Sequence, residues 1–172
     1  MRQKCYYIVL TVFFLFFITG KIYSQKSITA KVFAEVIEAI SANEDEALNF
    51  GRFSPGNTES EIVISPKGLR SVEGTAVTIT GDYSAGSFTV LGASDASFTI
   101  KLPDNPAVLT HEKSGNTMQV KDWISTPSME EEGVLVEGSC NINIGATLVV
   151  GTLDENPVGV YSGTYTLTFA YN

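Results

Sequence analysis

Two cysteines and one histidine are all that the 172 residues offer of the side chains that most often build disulfides and zinc sites. Cys5 precedes an apolar run near the amino terminus. If that region is removed, Cys140 stands alone and no internal disulfide can form. One histidine and one cysteine also exclude a zinc site made from those residues. Basic residues are scarce as well, eleven Lys and Arg against nineteen Asp and Glu. A phosphate backbone needs a basic face, so the expectation is no nucleic-acid partner. The chain has a single tryptophan and no Gly-x-Ser-x-Gly elbow that would carry a hydrolase nucleophile. Beyond the amino terminus no apolar run is long enough to span a bilayer.

What is present begins with that amino terminus. Arg2 and Lys4 precede an apolar core at residues 6–18, followed by Gly20, Lys21 and the small Ser24. This order predicts a secretory signal peptide at residues 1–24, cut after Ser24. Sixteen residues separate Lys4 from Lys21, short of the ~20 that a spanning helix needs. The protein is therefore expected to be exported, to the periplasm, the cell surface or the extracellular space. Removing 24 residues leaves 148, read as one domain at 25–172 with no membrane span. It carries eight cations against nineteen acids.

Those 148 residues read as strands almost throughout. "SITAKVFAEV" sets Ile28, Ala30, Val32, Ala34 and Val36 against Thr29, Lys31 and Glu35, the alternation of a half-buried strand, continued to Ile40. Further strands follow at "EIVIS", "AVTIT", "GSFTVLG", "SFTIKL", "AVLTH", "TMQVKDWIS" and "GVLVEG". Turns rich in Gly, Pro, Asn and Asp separate them: "SPGNTES", "SPKG", "TGDYSAG", "PDNP", "KSGN" and "DENPVG". Such punctuation predicts an all-β sandwich or barrel. "SFTV" at 87–90 and "SFTI" at 97–100 are expected to be neighbouring strands that present Phe88 and Phe98 alike. In "CNINIGATLVV" the positions Cys140, Ile142, Ile144, Ala146, Leu148 and Val150 share one apolar face, so the thiol is read as a small core hydrophobe.

No catalytic constellation emerges, and neither an enzyme activity nor a cofactor is expected. His111 is read as a solvated turn histidine. The acidic stretches "NEDE", "MEEEG" and "LDEN" lack the Asp-x-Asp-x-Asp-Gly spacing of a specific calcium loop and are read as charged turns. Trp123, Tyr83 and Tyr161 offer a second reading, a carbohydrate-binding surface, provided that they are exposed together. A hydrolase built on His111 ranks third.

The sequence ends on "GVYSGTYTLTFAYN". Tyr161, Tyr165, Leu167, Phe169 and Tyr171 share one side, Ser162, Thr164, Thr166, Thr168 and Ala170 the other. This is a strand to be buried on its aromatic side by contact with a neighbouring strand. From about Ile28 onward the chain resembles the bacterial secreted domains grouped as domain of unknown function 4402. The stretches that carry the likeness are "LNFGRFSPG", "GSFTVLG", "INIGATLVVG" and "VGVYSGTYTLTFAYN". The resemblance implies an immunoglobulin-like antiparallel β-sandwich without known enzymatic activity. The ending is also similar to that of chaperone–usher pilus subunits and spore-coat U proteins. There, a glycine fourteen residues from the end and a penultimate tyrosine frame alternating hydrophobics. Gly159 and Tyr171 hold those places here, with Tyr165, Leu167 and Phe169 between them. The likeness implies a secreted structural or adhesive surface subunit. Its terminal strand would zip against a periplasmic chaperone or neighbouring subunits by β-strand addition.

Overall fold

The computed structural model describes residues 25–128 and 133–172, together with Leu10 and Phe13. The expected signal peptide otherwise lies outside the described residues, as does most of "MEEEG". Among the described residues there are thirteen strands. The first six are β1 (Ser41–Glu46), β2 (Phe53–Ser54), β3 (Ser60–Ile64), β4 (Arg70–Glu73), β5 (Val77–Thr78) and β6 (Gly86–Leu91). Then come β7 (Ser97–Lys101), β8 (Ala107–His111), β9 (Thr117–Thr126) and β10 (Gly133–Val134). The series closes with β11 (Ser139–Val150), β12 (Tyr161–Ser162) and β13 (Thr168–Tyr171). From residue 25 onward no described residue is helical. Every strand pairing is antiparallel.

The chain divides into Met1–Glu35 and the compact unit Val36–Asn172. In the compact unit the main sheet runs β1-β6-β11-β9-β8-β12, with β3 added to β11 and β4 to β3. β11 is the organising strand. Its first half pairs with β6 and its second half with β3 along the same edge, while β9 covers the other edge. The alternation read from "CNINIGATLVV" holds: Ile142, Ile144, Ala146, Leu148 and Val150 are buried, and Cys140 is half-buried. Period two puts every second side chain on one face, so a long alternating strand lines a core from end to end.

A second layer packs on this face and makes the molecule an all-β sandwich. It consists of a three-stranded sheet, β10-β7-β13, and a two-stranded one, β2-β5. The core forms two clusters. Phe50, Ile62, Ile64, Met118, Val120, Leu148 and Val150 centre one; Val90, Phe98, Ile100, Leu135, Ile142 and Ile144 centre the other. Each fully buried Ile, Leu or Phe contributes about 1.5–3 kcal/mol by leaving water. Trp123 packs against both clusters.

Three expectations need correction. Residues 25–40 form no strand, and Ile28, Val32 and Val36 are 90%, 92% and 96% exposed. The first strand is instead β1, which contains the "NEDE" acids expected in a turn. β1 is a sheet edge with all six residues exposed, where charge is tolerated and discourages unwanted pairing. β6 and β7 are not neighbours either. They lie in different layers, and Phe88 and Phe98 meet in the second cluster from opposite sides. Finally, the terminal segment is not one continuous strand. β12 pairs with β8 in the main sheet, and β13 pairs with β7 in the other.

Candidate functional site

The crossing of residues 159–171 from one layer to the other shapes an open groove in the surface. Tyr161 and Ser162 pair with His111 and Thr110. Residues 163–167 take part in no ladder, and from Thr168 to Tyr171 the chain pairs with residues 101 to 98 of β7. The alternation survives the crossing. Tyr161, Tyr165, Leu167, Phe169 and Tyr171 are half-buried, and the intervening residues are exposed. The aromatic side of the terminus is therefore buried against the protein's own core, where Tyr165, Leu167, Phe169 and Tyr171 join the second cluster.

Specific contacts hold this path. The Tyr171 hydroxyl accepts a hydrogen bond from the Ala93 N–H at 2.7 Å and donates to the Glu38 carbonyl at 2.8 Å. Tyr161 donates to the Pro157 carbonyl at 2.9 Å. Two glycines permit close approach. A Cβ at Gly159 would fall on Nε2 of His111, and one at Gly163 would strike the Val108 carbonyl oxygen. The preceding "DENP" loop is fastened by its own acid and amide. Thr152 donates to Glu155 through both N–H (2.8 Å) and hydroxyl (3.0 Å), which holds the carboxyl below its ordinary range. Asn156 accepts from Gly151 N–H and donates to the Thr117 carbonyl.

His111 is not the solvated turn residue that the sequence suggested. It ends β8 at 6% exposure, with Tyr161 against its ring at 4.9 Å between centroids. Ser114 N–H donates to Nδ1 at 2.9 Å, and the Ser114 hydroxyl lies 2.5 Å from the same nitrogen. An acceptor Nδ1 places the ring proton on Nε2, the nitrogen that faces Gly159. Both contacts lie within one hairpin turn, so the arrangement closes the β8–β9 connection. Among the described residues no group of three His, Cys, Asp or Glu side chains is placed to hold a metal ion. None of their helices is long and apolar enough to cross a membrane.

Beside the crossing lies an open groove of about 700 Å³. One wall is residues 157–165 and the other is residues 49–55, which include β2. Its floor is apolar, made by Ala107, Leu109, Met118, Val120, Trp123 and Leu148. Val158 and Val160 on the rim are 87% and 60% exposed, and Ile79 opposite is 50% exposed. β2 has β5 as its partner on one side, and residues 163–167 have none in a sheet. The second layer thus has a gap between two backbone stretches, above a floor of core side chains. Tyr165 borders this gap with its phenol turned inward. Burial pushes that phenol up to about 12, and the Glu44 carboxylate adds to the effect.

The aromatic residues considered for sugar stacking are differently placed. Trp123 and Tyr161 both line the groove, but Trp123 has Tyr165 at 4.6 Å across its ring, and Tyr161 rests on His111. Tyr83 lies outside the groove lining, with the Arg70 guanidinium 4.3 Å over its face. Of the residues named for the terminal zipper, Gly159 and Tyr165 line the groove wall, whereas Leu167, Phe169 and Tyr171 continue into the second layer. Sequence reasoning missed the opposite wall and the floor. Its available signal was "LNFGRF", in which only Leu48 and Phe50 alternate, too briefly to reveal that this stretch borders a gap.

Fold and groove together define an antiparallel β-sandwich domain whose second layer is incomplete at one position. The chain belongs to the family described as Domain of unknown function (DUF4402), which it matches over residues 40–171. No curated protein and no solved structure gives a significant match.

Proposed function

We propose that this chain is an exported, non-catalytic structural or adhesive subunit of a surface assembly, joined to its neighbours by β-strand addition along residues 159–171. The observation that carries this reading is the backbone of residues 163–167, which lies outside any ladder beside an open apolar groove. Unpaired strand edges are templates for another strand, and folded proteins normally cover or blunt them. Here the edge is the five residues 163–167, and exposed Val158 and Val160 precede it. Main-chain hydrogen bonds would supply affinity, and alternate side-chain positions would supply register. Export rests on the basic, apolar and small-residue order of residues 1–24. The likeness of the ending to pilus subunits adds a periplasmic chaperone as an early partner of the same edge. The carbohydrate reading has less support, because the faces of Trp123 and Tyr83 are already occupied.

The test is Thr166→Pro. Proline removes a backbone donor from a residue that is in no ladder of its own fold, so stability should hold while strand addition fails. Export, thermal unfolding and surface display are measured together. The expected result is a folded, exported protein that no longer accumulates in surface assemblies. A folded variant that assembles like the natural chain would refute the proposal.

A further inference from the structure

The groove is apolar over its floor and carries charge at one place only. Of all the residues that line it, Arg52 alone is ionic, and none is Asp or Glu. Yet the unit Val36–Asn172 carries six cations against eighteen acids. An acid-free cleft in so acidic a body leaves this guanidinium to set the local field. Arg52 is exposed, and among the described residues its side chain has neither a carboxylate partner nor a hydrogen bond. Its part in the fold is played by the main chain, where its carbonyl accepts from Ile79 N–H at 2.9 Å. Arg70 differs. It donates to the Phe50 and Ile79 carbonyls at 3.1 Å and lies over Tyr83. Glu155, next to the lining residue Asn156, has its carboxylate taken up by Thr152.

We infer that the groove binds a free single-chain amphiphile with one anionic end, a long-chain carboxylate, whose tail lies on the floor and whose carboxylate meets Arg52. The volume of about 700 Å³ falls within the range of small-ligand sites, which are mostly apolar with a few polar groups that fix orientation. The space lies open between two stretches of wall, residues 49–55 and 157–165, a form that suits a slender chain. Leu109, Val120 and Leu148 offer the tail aliphatic contacts, and Met118 adds a side chain that adapts to irregular shapes. Exposed Val158, Val160 and Ile79 continue the apolar surface up to the rim. Other ligand classes fit less well. A neutral apolar chain leaves Arg52 without a counter-charge, and a cationic one is repelled by it. A sugar needs free aromatic faces, whereas Trp123 is covered by Tyr165 and Tyr161 rests on His111.

The inference goes beyond the proposed assembly role and does not rest on it. An added strand and an amphiphile would use the same floor, so binding is measured on protein dilute enough to be monomeric by light scattering. Each methylene that leaves water for the floor raises affinity by up to about fourfold. The carboxylate at an exposed guanidinium adds a further factor of roughly five, screened by salt.

The experiment uses the protein expressed from its full sequence, and Trp123, the only tryptophan, reports on the groove floor. The probe is dodecanoate brominated at its last carbon, since bromine quenches an indole that it touches. Quenching should saturate below the concentration at which the probe forms micelles. Unbrominated dodecanoate should displace the probe, octanoate more weakly, and acetate not at all. Arg52→Gln should weaken binding roughly fivefold, and the brominated alcohol of the same length should bind the natural chain as weakly. Val160→Asp, which sets a like charge on the rim, should weaken it at least as much. Both positions are exposed, so thermal unfolding should match the natural chain. Absence of saturable quenching would overturn the inference. So would equal binding of acid and alcohol, or binding unchanged in Arg52→Gln and Val160→Asp. Quenching by vesicles of brominated phosphatidylglycerol, with none by the free acid, would make this face a membrane contact and also overturn it. Assembly lost in Thr166→Pro in a protein that ignores dodecanoate would leave strand addition standing and remove only this ligand. Saturable binding with assembly intact in Thr166→Pro would do the reverse.

Discussion

The indole of Trp123 lies 4.6 Å from the phenol ring of Tyr165, with the ring planes 30° apart. β9 supplies the first residue and the unpaired crossing of the terminus supplies the second. The pair sits where the two core clusters meet, because Trp123 touches both and Tyr165 belongs to the second. Phe88 completes the arrangement edge-on to Tyr165 at 6.4 Å. The floor of the groove is thus also the seam of the core, so a strand added there would bear on the stability of the whole sandwich.

Tyr165 should respond oppositely to two substitutions. Its hydroxyl is buried without a hydrogen-bond partner among the described residues. Removing an unsatisfied group costs little, so Tyr165→Phe should be neutral or stabilising by up to about 1 kcal/mol in urea unfolding. Tyr165→Ala removes the ring and should cost about 2–4 kcal/mol.

The same phenol makes stability depend on pH at the alkaline end. Burial raises its folded value to about 12 from an ordinary 10.0. Between these values the native state holds the proton more tightly than the unfolded chain, so stability falls as pH rises. It is fully present below pH 10 and is lost toward pH 12. Unfolding midpoints measured across that window should decline for the natural chain, and decline less for Tyr165→Phe.

Gly159 and His111 should be energetically coupled. A methyl at 159 lands on the imidazole, so Gly159→Ala should destabilise by about 1–3 kcal/mol through overpacking. With His111→Ala in place the methyl has room, and the cost of the second change should shrink. A double-mutant cycle in chemical denaturation reads the coupling, and strict additivity would show that the two side chains do not share space.

Tyr171 contrasts with Tyr165. Its hydroxyl serves the Ala93 N–H and the Glu38 carbonyl, so Tyr171→Phe leaves the Ala93 N–H unpaired in a partly buried setting and hands the exposed Glu38 carbonyl to solvent. A loss of about 1–3 kcal/mol is expected in thermal or urea unfolding, together with faster hydrogen exchange at Ala93.

The all-β architecture, most of the turn positions and the inward side of most strands were legible in the sequence, although "NEDE", read as a turn, lies in β1. "CNINIGATLVV" lines the core on the expected face, and the terminal segment buries the expected aromatic side. The position of His111 was not legible. "HEKSGN" looks like an exposed turn, and its histidine is covered by Gly159 and Tyr161, nearly fifty residues away. For the same reason Phe88 and Phe98, in nearly identical local sequences, could not be assigned to different layers.

Alternation along a strand by itself determined which side chains seek a core, because pleating sends neighbours to opposite faces whatever the partner. Which backbone each strand pairs with was decided only in three dimensions, where candidates compete for a limited number of edges. The "NEDE" stretch took the edge of β6, although its side chains are polar, and "ITAKVFAEV" found no edge although its pattern is better. Hydrogen bonding between strands is made by a backbone common to all residues. Position along the folded chain, more than side-chain pattern, therefore settled which edges were filled and which groove was left open.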